Sequence, residues 1–114
     1  MKKRLNRYNK HPYEVGGVKF DSRKEAERYA VLLEMQDDGK ISDLERQVEI
    51  VLVEPFTLNG KRYRKTSYVA DFHYWMGGVE VWEDVKSPAT ASDRLYQLKK
   101  KLAASKGIEI VEVM

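Results

Sequence analysis

The spacing of apolar positions changes several times along the chain, and each change marks an element. "YEVGGVKF" (13–20) alternates around Gly16-Gly17, which predicts a short hairpin. In "DSRKEAERYAVLLEMQDDGK" (21–40), Ala26, Tyr29, Ala30 and Leu33, with Leu32 beside them, recur at helical spacing. Ser22 is a good N-cap for that helix and Gly39 a good stop. "QVEIVLV" (47–53) alternates and is rich in β-branched residues, so it predicts a strand, which Pro55 ends. Asn59-Gly60, inside "FTLNGKRYRK", is a strong hairpin turn. "YVADFHYWMGGVEVWEDVKS" (68–87) reads as two more strands around Gly77-Gly78. "ASDRLYQLKKKLAASKG" (91–107) predicts a second helix with Leu95, Leu98 and Leu102 on one face. Ser92 is its candidate N-cap, Pro88 bars an earlier start and Gly107 is the stop. "IEIVEV" (108–113) is a final strand. The order is small hairpin, helix, several antiparallel strands, helix, strand. It predicts one α/β domain with a mixed sheet over residues 11–114. A basic arm, expected to be flexible, precedes it at 1–10.

The strand pair around Gly77-Gly78 carries acids in both arms, although acids are poor strand formers. A two-residue turn sets Met76 against Val79 and Asp71 directly against Asp84, with Val69 opposite Lys86. Side chains alternate between faces. Ala70, Phe72, Tyr74, Met76, Val79, Val81 and Val85 share the predicted core face, where Glu83 is the only charge. Asp71, His73, Trp75, Glu80, Trp82, Asp84 and Lys86 share the other. Directly opposed Cβ atoms stand about 4.5–5.5 Å apart, so the two carboxylates repel. A divalent cation between them reverses that interaction, and hard Mg²⁺ prefers carboxylate oxygens. Lys86, about 6–7 Å along the same face from Asp84, offers an ammonium that can stabilise a phosphate or orient a water. The plainer alternative is a polar outer face with a weak Asp84–Lys86 ion pair. Against that stand the opposed acids and the two tryptophans on the same side.

Composition narrows the choices. The 114 residues fit one domain, and 42% apolar content argues against disorder. There is no cysteine, which excludes disulfides, thiolate metal sites and thiol nucleophiles. With only His11 and His73, a zinc site is not expected. The missing cysteine is compatible with a reducing cytosol, and a cytoplasmic location is the expectation. No apolar run approaches the roughly 20 residues of a membrane span, and the basic start lacks the apolar segment of a secretory signal. Net charge is only +3, but the cations cluster. "KKRLNRYNK" (2–10) contains Lys2, Lys3 and Arg4. "KRYRK" (61–65) contains Arg62, Arg64 and Lys65. Lys99, Lys100 and Lys101 follow on the second helix. This segregation suits a surface that meets a polyanion; ordinary solvated faces are the alternative.

A helix with "SRKE" (22–25), then "AD" (70–71) on one strand and "DVK" (84–86) on the next, resembles the restriction-endonuclease-like (PD-(D/E)XK) nucleases. The run "FDSRKEAERY…DGKISDLERQVEI…ADF…EDVKS…KKKL…GIEI" further resembles a group of small phage-encoded members of that superfamily, over residues 8–113. Ala70 stands where the pattern has proline, and Asp84 where glutamate is commoner. The resemblance implies a mixed-sheet core flanked by two helices and Mg²⁺- or Mn²⁺-dependent cutting of DNA phosphodiesters. It makes Asp71, Asp84 and Glu25 metal ligands and Lys86 a catalytic lysine. Gln47 then lies near the site, and His73 is a candidate neighbour of it. Ser22 and Glu25 also fit a capping box, so Glu27 is the alternative helix carboxylate. The chain is near the minimum size for the fold, so structure-selective cutting of branched or recombining DNA is expected over site-specific cutting. Cutting a duplex needs two active sites, which makes a homodimer an expected partner beside DNA. The rival classes are a non-catalytic nucleic-acid-binding protein with the same fold and a virion or interaction protein.

Overall fold

The computed structural model describes residues 13–114, so the basic arm with Lys2, Lys3 and Arg4 lies outside the described residues. β1 (Glu14–Val15) and β2 (Val18–Lys19) form the small hairpin, followed by α1 (Arg23–Asp37). β3 (Ser42–Val53) leads into a second hairpin, β4 (Phe56–Leu58) and β5 (Lys61–Tyr63). β6 (Thr66–Met76) and β7 (Val79–Val85) turn at Gly77-Gly78, whose positive φ values of 59° and 79° suit a tight hairpin turn. α2 (Pro88–Ala91), α3 (Arg94–Ser105) and β8 (Ile110–Val113) complete the chain. The main sheet has the order β3-β6-β7-β8. Its first three strands are antiparallel and β8 joins β7 in parallel. The fold is therefore a mixed-sheet α/β domain, with three helices among the described residues. Among the described residues no helix is long and apolar enough to cross a membrane.

Several boundaries differ from the sequence expectation. β3 starts at Ser42 rather than at residue 47, because pairing with β6 (Glu45 opposite His73) and the Gln36 side chain, which accepts the Leu44 amide, hold a polar stretch extended. No helix starts before Pro88, as expected; Pro88 itself opens a separate short helix, α2, where its missing N–H is not needed, behind a Ser87/Thr90 capping box. Asp93, not Ser92, caps α3 by accepting the Tyr96 amide at 2.9 Å. Leu95 and Leu98 of that helix are 59% and 53% exposed, and Tyr96 and Ala103 face inward instead. The small Ala103 permits close approach to the sheet, while the Tyr96 hydroxyl reaches Glu112 on β8.

The register expected for β6 and β7 holds from Met76–Val79 to Phe72–Glu83. The single core face does not. Phe72, Tyr74, Val81 and Val85 pack with Leu32 and Ala26 of α1. Ala70, Tyr68 and Trp82 pack instead with Ala103 of α3 and Ile110 of β8. Val81 and Trp82 are neighbours on one strand, so the two clusters lie on opposite faces. Ala70 and Phe72 share parity yet serve different faces, so the alternation breaks at Asp71. The neighbouring strand breaks at the same level. Arg46 lies over Phe20 and Tyr29 on the α1 side, whereas Ile50 and Leu52 join the α3 cluster. Between them Gln47 has φ +53°, the left-handed region that a side chain enters only under strain. At the far end, Met76 and Val79 are 45% and 62% exposed at the turn.

Candidate active site

The ladder between β6 and β7 ends at Phe72–Glu83, and beyond it two carboxylates replace carbonyls as acceptors. The Asp71 amide donates to Asp84 Oδ1 at 2.9 Å, and the Val85 amide donates to Asp71 Oδ2 at 2.9 Å. The predicted opposition of the two aspartates is thus resolved by turning each carboxylate into the backbone of the other strand. Asp84 is 1% exposed, contrary to the expected wetted face. Burial is the main reason that both carboxyls are pushed above their ordinary range; the amides of Val85 and Asp71, and the charge of Lys86, oppose the rise.

Lys86 follows on β7's extension. Its Nζ lies 3.2 Å from Asp84 Oδ2 and 4.1 Å from the centre of the Tyr96 ring. Asp84 Oδ2 is buried, and the Lys86 ammonium is its ion-pair partner without forming a regular hydrogen bond to it. Tyr96 in turn donates to Glu112 at 2.7 Å.

Glu25 reaches the site from the first turn of α1. Ser22 accepts its amide at 3.1 Å, but its carboxylate is turned to Gln47, whose Nε2 donates to it at 3.5 Å. Only one half of the expected capping box forms, and the carboxylate is left for other use. Burial first, and then the charge of Asp71, push the Glu25 carboxyl up. Gln47 also contacts Asp71, so it bridges the helix carboxylate and the sheet carboxylates. Glu27 is exposed on the helix and lines a separate cleft against β1. Glu25, Gln47, Asp71, Asp84 and Lys86 are therefore drawn together from α1, β3, β6 and β7.

Other expected residues are placed elsewhere. His73 is buried rather than exposed, between Glu45 (3.1 Å) and Glu80 (2.7 Å), with its ring against Trp82. Lys100 is held by Glu112 at 2.9 Å, and Lys65 by Glu49 at 3.0 Å. Arg62, Arg64 and Lys101 are exposed, and Lys99 is half-buried.

Sequence reasoning missed Arg46. Its guanidinium lies 4.9 Å from the Phe20 ring centre and 5.9 Å from that of Tyr29, and its charge acts on both Glu25 and Asp71. Its Nε is buried and has no hydrogen-bond partner. The available signal was a Glu-Arg-Gln run beside Gln47, charged residues in a stretch that feeds a strand.

The arrangement suits a hard divalent cation. Asp71 and Asp84 supply oxygens in a half-dry setting, and one oxygen has no hydrogen bond. As the side chains stand, no three acidic or imidazole groups among the described residues are gathered closely enough to form a finished cage. Glu25 would have to turn from Gln47 to complete one.

A family model described as "Protein of unknown function (DUF1064)" matches residues 5–112. No curated protein and no solved structure matches the chain.

Proposed function

We propose that this chain, which belongs to the DUF1064 family, is a divalent-metal-dependent DNA endonuclease of the restriction-endonuclease-like kind. One observation carries the reading. Among the described residues, the buried side-chain polar atoms left without hydrogen bonds are Asp84 Oδ2 and Arg46 Nε, one anionic and one cationic, and both lie at this site. Native proteins rarely leave such atoms without hydrogen bonds. Asp84 Oδ2 has Lys86 as its ion-pair partner at 3.2 Å, and a metal ion would supply the ligation it lacks.

Asp71, Asp84 and Glu25 would hold Mg²⁺ or Mn²⁺. When bound, the ion lowers the pKa of a water and polarises a phosphoryl oxygen. The remaining work falls to the chain itself. Lys86, packed on Tyr96, is fixed where it can stabilise charge that builds on the phosphate or on the attacking water. Gln47 orients Glu25 until the ligand set is complete. Arg46, clamped on two rings, is placed to contact a phosphate oxygen. Arg62, Arg64, Lys99 and Lys101 extend the grip along the backbone, with branched or recombining DNA, phage-related, as the substrate class. A second copy of the chain would supply the cut in the other strand. A binder without activity would show no dependence on a divalent ion, and the cleavage panel separates the two classes.

The test is a cleavage panel of linear, flapped, looped and four-way DNA with Mg²⁺, Mn²⁺ or chelator. Cutting should require the ion, and Lys86→Ala should lower the rate by about 10²–10³. A Lys86→Ala protein that cuts at the wild-type rate removes the lysine from the mechanism. Absence of cutting on every DNA, with ions present, overturns the nuclease reading.

A further inference from the structure

The β4–β5 ribbon belongs to no core. Both strands are exposed along their whole length. It continues outward from the end of the β3–β6 pair, at Val53 opposite Thr66. An isolated two-stranded hairpin is marginal in water. This one nevertheless exposes large apolar groups: Phe56 is 45%, Leu58 57% and Tyr63 37% exposed. Its register sets Phe56 opposite Tyr63 and Leu58 opposite Lys61, so these four share one face. The two rings stack at 4.7 Å, and the Lys61 ammonium lies 5.1 Å from the Tyr63 ring centre. Thr57 and Arg62 form the opposite face. Among the described residues, this aromatic face packs against no core cluster.

Charge decides what would cover it. Residues 61–65 hold four cations, of which Lys65 is tied to Glu49. Between Pro55 and Lys65 there is no acid. A second copy docking by two-fold symmetry would bring like-charged ribbons together. A polyanion with flat apolar faces matches both properties, and that is nucleic acid. A two-stranded ribbon also fits the duplex grooves, and apolar side chains can wedge between base steps.

We propose that the β4–β5 ribbon senses the branch in the DNA substrate. Leu58 and the Phe56–Tyr63 stack take the unstacked bases at a discontinuity, while Lys61, Arg62 and Arg64 hold the flanking phosphates. This rests on the nuclease reading above and adds a ruler to it. Nine residue steps separate Gln47 at the site from Phe56 in the stack, at most about 30 Å of extended chain. At about 3.4 Å per base pair, the cut should fall at a fixed offset within about nine base pairs of the branch.

The experiment compares the full chain with Phe56→Ala/Leu58→Ser and with Arg62→Ala/Arg64→Ala. Melting curves confirm that each variant is folded, as the ribbon's exposure leads one to expect. Binding is measured on flapped and linear duplexes of equal length, and cut positions are mapped. A 2-aminopurine base at the branch reports unstacking. The apolar variant should lose about tenfold in affinity for the flap, near one stacked base, with linear binding unchanged. It should also lose the aminopurine signal and the fixed cut offset. The arginine variant should weaken both DNAs and flatten the salt dependence. Flap preference, signal and offset all retained in the apolar variant would overturn the ribbon's role while leaving the nuclease reading intact. An apolar variant that changes only the sedimentation of the protein would make the ribbon a self-association surface and also overturn it. A wild-type protein that cuts no DNA would overturn the nuclease reading itself.

Discussion

At the scale of single residues, the site is held together by groups that the fold would rather keep neutral. Asp84 is the clearest case. Its carboxyl is pushed up chiefly by burial, so its ionised form is less favoured in the folded state than in the unfolded chain. A carboxyl raised in this way costs stability as pH rises through its folded value, and the cost disappears in acid, where it is protonated in both states. Asp84→Asn should therefore raise the melting temperature of the metal-free protein at neutral pH, abolish cleavage, and match the wild type more closely as pH falls toward 4. Millimolar Mg²⁺ should stabilise the wild type by linkage and leave the variant nearly unmoved. Thermal melts of both proteins with chelator and with Mg²⁺ check this; a variant that melts lower in chelator makes Asp84 a structural partner of Lys86. Strand alternation made the aspartate pair legible beforehand. It could not show that the carboxylates turn inward to accept amides, because that depends on the ladder ending at Phe72–Glu83. Mutual repulsion, the expected strain, gives way to desolvation as the main one.

At the scale of elements, α1 is pinned to the sheet by an ion pair whose carboxylate is buried and whose guanidinium is half-buried. Arg28 Nε and Nη2 donate to Glu83 at 2.8 and 2.6 Å, and the Tyr74 hydroxyl donates to the same carboxylate. Glu83 is 1% exposed. The Tyr74 hydroxyl is pushed up to about 12, by burial first and then by the carboxylate. Arg28→Ala leaves Glu83 buried without its cation and should cost about 3–5 kcal/mol, read as a shift in the urea midpoint. Arg28→Ala with Glu83→Gln should recover part of that loss, since no unpaired charge remains. The sequence placed Glu83 on the core face, but its partner stands 55 residues away and no periodicity reveals it. The helices were legible as elements while their orientation was not. Leu95 and Leu98 share a face of α3, yet the packing chosen is the one in which Tyr96 meets Glu112. The ribbon was legible from Asn59-Gly60 alone, because its turn is local chemistry.

At the scale of the whole molecule, the sheet changes sides at one level. The left-handed Gln47 and the break at Asp71 let α1 pack on one face and α3 on the other. The site lies at this seam, where the two cores meet. A pattern of period two cannot foretell such a reversal, since Gln47 carries no glycine-like signal. The seam has a spectroscopic consequence. The Asp71 and Val85 amides are bound by carboxylates, and such charge-assisted bonds are stronger than those to carbonyls. Their proton resonances should lie downfield of their neighbours in the metal-free protein. An ion that draws charge from the two carboxylates should move both resonances upfield together, before any substrate is added. The Phe72 and Tyr74 amides, within the regular ladder, should barely respond. On the proposed reading these two amide protons would report occupancy, and a Mg²⁺ titration followed by amide NMR tests it directly. If neither resonance moves while cleavage remains ion-dependent, the ion is held by other groups.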